Sequence, residues 1–430
     1  MISDGLKETN VDWIPTTPSH WSLRKAKFLF FNKSIKNRPD QPLLSVTQSY
    51  GVIRRDESET KVWNPEDDVS SYKLVEANDF VISLRSFEGG LELSSVSGLV
   101  SPAYTVLGKI QEIHPKYFWR LMKSSQFITE LNKNVTGIRQ GKNIGWDDFS
   151  NIYLPLPPIE EQRLISRYLD KKTQQIDTLI EKIEKKIELL KEQRTSLINH
   201  YVTKGLDPNV EMKESGVEWI GKIPKHWDIK RLKYIGERKS GDGFRVELQG
   251  NEFDEIPFYK VSDLNLIGNE KYLTVSNNYL SKQVIENEGL HIFPKDSIVF
   301  PKIGEALKLR KRRITSTTCC IDNNMMALMI QSNNDDVEFL YLTLSLVDFS
   351  LYCSSGTVPS ISETQVGTIP IPVPPVDEQK RIAGYLSKHL GLLDSLVSSE
   401  ARRCSLAEEY RQSLISSVVT GKVRVTEDMV

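Results

Sequence analysis

Six cationic side chains, Lys302, Lys308, Arg310, Lys311, Arg312 and Arg313, lie within the stretch KIGEALKLRKRRITSTT, opposed by the single acid Glu305. Neutralising consecutive phosphates requires such local density, and a guanidinium can also grip a guanine edge through two hydrogen bonds. The chain as a whole carries a net charge of −1, so attraction to a polyanion must come from clusters like this one. The competing reading is a solvated loop or strand edge. In the first half the polar and cationic candidates are Arg54, Arg55, Arg85, Arg139, Gln140, Lys142 and Asn143. Arg suits guanine, and Gln or Asn suits adenine. Arg85 and Lys302 sit at matching places of an internal repeat, which suits a shared backbone contact better than a base contact.

Residues for covalent or metal chemistry are not arranged to perform it. Near Gly137 the stretch GIRQGKN has one residue too few before Gly141-Lys142, and no Ser or Thr after the Lys, to be a phosphate-binding loop. Adenine methyltransferases use an Asn/Asp-Pro-Pro-aromatic motif. NPED at Asn64 lacks the second proline and the aromatic. Cys319, Cys320, Cys353 and Cys404 form no metal-spaced pair and read as reduced thiols of a cytoplasmic protein. His20 and His226 each precede a tryptophan and read as structural, hydrogen-bonded histidines. The expectation is no catalytic residue, no metal and no cofactor. No apolar run approaches the roughly 20 residues of a membrane helix, and the first residues lack the basic-then-apolar pattern of a signal peptide.

The elements that position these residues are written twice. KETNVDWIPTTPSHWSLRKAKF at Lys7 returns as KESGVEWIGKIPKHWDIKRLKY at Lys213, with Trp13 and Trp219 separated by 206 residues. PLPPIEEQRLISRYLDKK at Pro155 returns as PVPPVDEQKRIAGYLSKH at Pro372, a separation of 217 residues. Between these edges the halves diverge. A period of this length means duplicated domains and not a solenoid.

Each half has three parts. An opening segment, W-I-x-x-x-P-x-H-W, is expected to run extended and bury its aromatics. The interior follows, where alternation and β-branched residues in DFVISLRS, PAYTVLGKI, IPFYKVSDLN, DSIVFPKIG and MMALMI predict strands. It ends in a helical segment, YFWRLMKSSQFITELNK or VEFLYLTLSLVDFSLYC, and a Gly-bearing polar loop. The third part starts a helix. Pro157-Pro158 and Pro374-Pro375 suit its first turn, and Glu160, Glu161, Asp377 and Glu378 suit its positive end.

The helix then runs in heptads. Leu169, Ile176, Ile183, Leu190 and Leu197 recur every seven residues, with Thr173, Ile180, Ile187, Arg194 and Tyr201 in the second register. The later copy has Leu386, Leu393, Glu400, Ala407 and Leu414, then Leu390, Val397, Cys404, Arg411 and Val418, so Glu400 and Ala407 interrupt its seam. Sustained heptads predict an antiparallel coiled coil within one chain, although each helix could instead pack on its own domain. The fold class expected is α+β: two tandem mixed α/β domains and two long helices in a pseudo-two-fold arrangement, a dumbbell suited to duplex DNA.

The repeated proline-proline-acid-Gln helices and the EWIGKIPKHW opening with FYKVSDLN resemble the specificity subunit of type I restriction–modification systems, over essentially the whole chain. The resemblance implies two target recognition domains, 1–155 and 207–372, and two conserved helical regions, 156–206 and 373–430. It implies a non-catalytic subunit that reads a split sequence in double-stranded DNA, with helices that set the spacer and dock two methyltransferase (modification) subunits. Restriction subunits, the translocase and nuclease, would join that complex. The alternative is a coiled-coil scaffold whose duplicated globules bind proteins without recognising DNA. A self-contained nuclease or methyltransferase is disfavoured by the missing motifs.

Overall fold

In the computed structural model the described residues are 5–48, 51–57, 69–84, 86–133, 144–330, 335–353 and 358–430. The chain forms two units, Met1–Lys185 with Ala401–Val430, and Lys186–Glu400. Both boundaries fall inside long helices, Ile159–Lys204 and Val376–Val419.

Unit 1 is built on an antiparallel sheet ordered Phe30–Lys33, Thr105–Lys109, Phe80–Ile82, Glu92–Leu93. Strand alternation sorts its two faces. Phe30, Phe80, Ile82 and Leu107 enter the main core, and Val81 and Val106 a smaller one with Val52 and Val100. Tyr117, Phe118 and Leu121 of the helix Pro115–Met122 cover the first face, and Phe127 of Ser125–Lys133 joins them. The sequence reads as one helical segment there. The structure breaks it at Ser124, whose buried hydroxyl donates to the Leu121 carbonyl and accepts from Phe127 N–H, starting a second helix.

Unit 2 repeats the plan with a larger, mixed sheet, ordered Gly236–Ser240, Met325–Ile330, Ile298–Pro301, Arg313–Thr315, Tyr272–Leu273. Its last pair is parallel. Alternation again divides the strands: Ile298, Phe300, Met326 and Leu328 face one cluster, Val299, Met325 and Ala327 another.

Within each unit the start of one long helix lies against the end of the other, the antiparallel pairing expected from the heptads. In unit 1 Ile165, Leu169 and Ile176 meet Leu414, Ile415 and Val418; in unit 2 Ile198 and Val202 meet Ile382, Leu386 and Leu390. The polar seam residues are paired. Arg194 meets Asp394 at 2.8 Å in unit 2, and its repeat mate Arg411 meets Asp177 at 2.7 Å in unit 1. Glu400, 5% exposed where the first copy has Ile183, is held by Lys186 at 2.7 Å.

Candidate nucleic-acid interface

The basic stretch can only act if its domain is held, and the repeated edges do this. In unit 1 Ser22–Lys25 pairs antiparallel with Tyr153–Leu156; in unit 2 Asp228–Arg231 pairs with Pro370–Val373. Each ribbon joins the opening segment to the strand just before the double proline, so constant sequence closes each variable interior. The tryptophan before the ribbon is buried, Trp21 2% and Trp227 0% exposed. Its indole N–H donates to a first-turn carboxylate, Trp21 to Glu161 at 2.8 Å and Trp227 to Glu378 at 3.1 Å. The preceding histidine meets the same oxygen through Nε2, His20 at 2.9 Å and His226 at 2.8 Å. The histidines are structural and hydrogen-bonded, as their sequence context suggests. The acids do more than face a helix end.

The next residue completes the joint. Gln162 Nε2 donates 2.8 Å to the Pro157 carbonyl, and its Oε1 accepts from His114 N–H at 2.8 Å. Gln379 repeats both bonds, to Pro374 at 2.9 Å and from Asp336 at 2.8 Å. One buried amide thus ties the double proline to the start of the interior's main helix. The only sequence signal for this was that the glutamine recurs in register.

The basic stretch starts just after the strand Ile298–Pro301 and runs through the short helix Glu305–Lys308 and the strand Arg313–Thr315. Its two flanks differ. Lys308 and Arg310 are exposed, ion-paired with Glu305 at 2.7 Å and Asp348 at 2.8 Å. Lys302 and Lys311 are half-buried, and Lys311 donates to Asn265 Oδ1. Arg310 has φ of +50°, a left-handed conformation that is unusual for a side-chain-bearing residue.

Arg312, one of the six DNA-contact candidates of this stretch, is buried. It is 2% exposed, its guanidinium 3.8 Å from the Phe349 ring centroid and 5.4 Å from that of Phe300. Burial, then repulsion from Arg310, pushes its pKa down to about 9. The Phe300 and Phe349 rings receive its guanidinium there, a cation–π environment that partly replaces water. Arg313 is half-buried and donates to the carbonyls of Leu264 and Arg312, each at 2.7 Å, and to that of Asn269. Burial lowers its pKa as well.

Of the first-half candidates, Arg54 is exposed and bridges to Asp56 at 3.1 Å, and Arg55 reaches the Leu44 carbonyl at 3.5 Å. Arg85, Arg139, Gln140, Lys142 and Asn143 lie outside the described residues. Among the described residues no group of three or more His, Cys, Asp or Glu is placed to hold a metal ion, and no helix is long and apolar enough to cross a membrane. All four cysteines are free thiols.

Residues 24–189 and 224–397 each match the family described as "Type I restriction modification DNA specificity domain". The type I restriction enzyme MjaVIII specificity subunit of Methanocaldococcus jannaschii is 25% identical over 362 residues, covering 82% of this chain and 80% of its own. The putative MjaX specificity subunit of the same organism is 24% identical over 452 residues, covering 98% and 97%. In fold, a chain from a structure concerned with complex assembly and conformational transition of the type I R-M system superposes with a TM-score of 0.72 at 14% identity, covering 95% of this chain and 99% of its own. The HsdS subunit of Thermoanaerobacter tengcongensis superposes with a TM-score of 0.53 at 14% identity, covering 95% and 98%.

Proposed function

Because the chain belongs to the type I restriction modification DNA specificity domain family, we propose that it is the sequence-reading subunit of a type I restriction–modification complex. Each variable interior reads one half of a split site in double-stranded DNA. One observation carries this reading: the same ribbon, Trp–His–Glu contact and glutamine bridge close two interiors whose sequences and sheets differ. A constant frame around two different interiors is what reading two different half-sites requires. The recognition domains are 1–155 and 207–372, and the helical regions are 156–206 and 373–430.

The long helices set the spacer and dock two methyltransferase subunits, with restriction subunits joining that assembly. In support, large apolar side chains stand open along them: Leu179 and Leu406 in unit 1, Leu189, Leu392 and Leu396 in unit 2, each at least 44% exposed. The chain itself supplies no catalytic group and no cofactor, and it acts where cellular and incoming DNA meet, in the cytoplasm. Its DNA-facing candidates are Lys302, Lys308, Arg310, Lys311, Arg54 and Arg55, with the five that lie outside the described residues.

The test is to assemble the chain with a methyltransferase partner, supply S-adenosylmethionine, and sequence the modified sites. Methylation confined to one bipartite sequence is expected from the assembly and none from the chain alone. An assembly that forms but shows no DNA affinity would return the chain to a protein-binding scaffold.

A further inference from the structure

The two inward residues of the basic stretch raise an electrostatic problem. Arg312 and Arg313 are adjacent, one buried and one half-buried, and no carboxylate among the described residues lies at ion-pair distance from either. Their hydrogen bonds go to neutral carbonyls. Asp348 and Glu270 act on them only at longer range, and Asp348 is already paired with Arg310. Removing a charge from water without a counter-charge is costly, and neutral acceptors offset only part of it. Moreover, Arg312 Nε is buried without a hydrogen-bond partner.

Both residues line an open cavity of about 350 Å³ in unit 2. Arg310 and Lys311 stand beside them, Arg194 comes from the first long helix, and Glu270 is the only carboxylate in the lining. Five cationic side chains share the lining with one acid, while Asp394 and Asp348, the partners of Arg194 and Arg310, are not part of it, so Lys311, Arg312 and Arg313 remain against Glu270 alone. Arg194 and Arg310 use one nitrogen each on their acids, which leaves further donors of the five on each guanidinium. Conformation fixes the wall. Gly304 at φ +75° and left-handed Arg310 bend the segment at either side of the buried Leu307, and Arg312 is clamped on Phe349.

The repeat supplies a control. Arg411, the mate of Arg194, lines an open cavity in unit 1 with Asp177, Glu408 and Glu409, three carboxylates against one cation. Equivalent helix positions thus border an acidic hollow in one unit and a basic hollow in the other. The basic character comes from the interior that unit 2 carries, and not from the shared frame.

We propose that the unit 2 cavity is an oxyanion pocket that holds one phosphate of the DNA backbone, with Arg194 and Arg310 as the principal contacts and Lys311 beside them. This rests on the DNA-reading function above and deepens it. It adds a helix residue, Arg194, to an interface otherwise drawn from the interiors. The contact is independent of base sequence, so it positions the recognition domain on the duplex. DNA is favoured over an acidic protein surface because the segment that lines the pocket also carries the half-buried Lys302 and the exposed Lys308, further cations of the kind a row of phosphates requires.

The experiment measures DNA affinity of the methyltransferase assembly against salt concentration. Arg194→Gln and Arg310→Asn (Asn tolerates the left-handed conformation) should each lower the log–log slope by about 0.9 with the target sequence unchanged. Arg194→Lys, which keeps the charge facing Asp394, should retain the slope. Arg411→Gln should leave it unaltered. As a second reading, DNA is made with single methylphosphonates across the half-site. One position should weaken the wild type roughly tenfold and have no effect on Arg310→Asn. Slopes equal to wild type in variants that melt normally would overturn the pocket and leave DNA recognition standing. Variants that instead release the methyltransferase, with slopes unchanged, would assign the cavity to a protein partner and overturn the proposal. A wild-type assembly without DNA affinity would overturn both.

Discussion

Gln162 holds a carbonyl and an N–H with one buried side chain, and the consequence is measurable at single-residue scale. Gln162→Leu keeps the volume but leaves the Pro157 carbonyl and the His114 N–H without their partner. Each orphaned buried group costs about 1–3 kcal/mol, so the unfolding transition of unit 1 should lose about 2–6 kcal/mol in a urea titration. A loss under about 0.5 kcal/mol would mean that water replaces the amide. Arg312 differs because its worth is in stacking and packing. Arg312→Ala should destabilise unit 2 by about 3 kcal/mol, the scale of emptying a core site, as read from its denaturant midpoint. A variant as stable as wild type would show that the charge is a burden which the rings do not offset.

At the scale of elements the seam of the long helices is informative. Glu400 occupies a buried seam position where the repeat has Ile183, and Lys186 reaches it with a side chain still 54% exposed. Replacing a buried ion pair by an apolar side chain is often neutral or stabilising. Lys186 can keep its head in water after the change. Glu400→Ile is therefore expected to raise the stability of unit 2 by about 1 kcal/mol or leave it level, by thermal melting of the full chain. A clear loss would show that Glu400 fixes register as a polar seam residue can. The heptads were legible from side-chain spacing because helix geometry is local. The Asp partners of Arg194 and Arg411 were not, because each lies about two hundred residues away in sequence.

At the scale of the molecule the frame predicts modularity. Keeping the ribbon residues Ser22–Lys25 and Tyr153–Leu156 while exchanging 26–152 for a relative's interior should change one half-site and leave the other. Sequencing of methylated sites reads the outcome, and simultaneous change of both half-sites would refute independent reading. The spacer role gives a second expectation. Four residues inserted after Lys185 and four after Glu400, where both unit boundaries fall, extend each helix by about 6 Å. At roughly 3.4 Å per base pair the spacer should lengthen by one or two base pairs. The added helical rotation is about 40° beyond a full turn, against roughly 70° for two base pairs, a mismatch small enough for DNA twist to absorb. An unchanged spacer with full methylation would show that the helices do not set it.

The duplication, the helix starts at the double prolines and the heptad seam follow from sequence alone, since repeat, proline geometry and periodicity are properties of neighbours along the chain. So does the structural character of His20 and His226, although their partners do not. Which way Arg312 faces was settled by tertiary structure. A run of cations looks uniform in sequence, and only the fold places Phe300 and Phe349 beneath one of them. The same holds for Glu161, Gln162 and their repeat mates. Their acid and amide groups are visible in the sequence, but the indole and amide hydrogens they accept belong to segments that meet them only when each interior closes on its own edges.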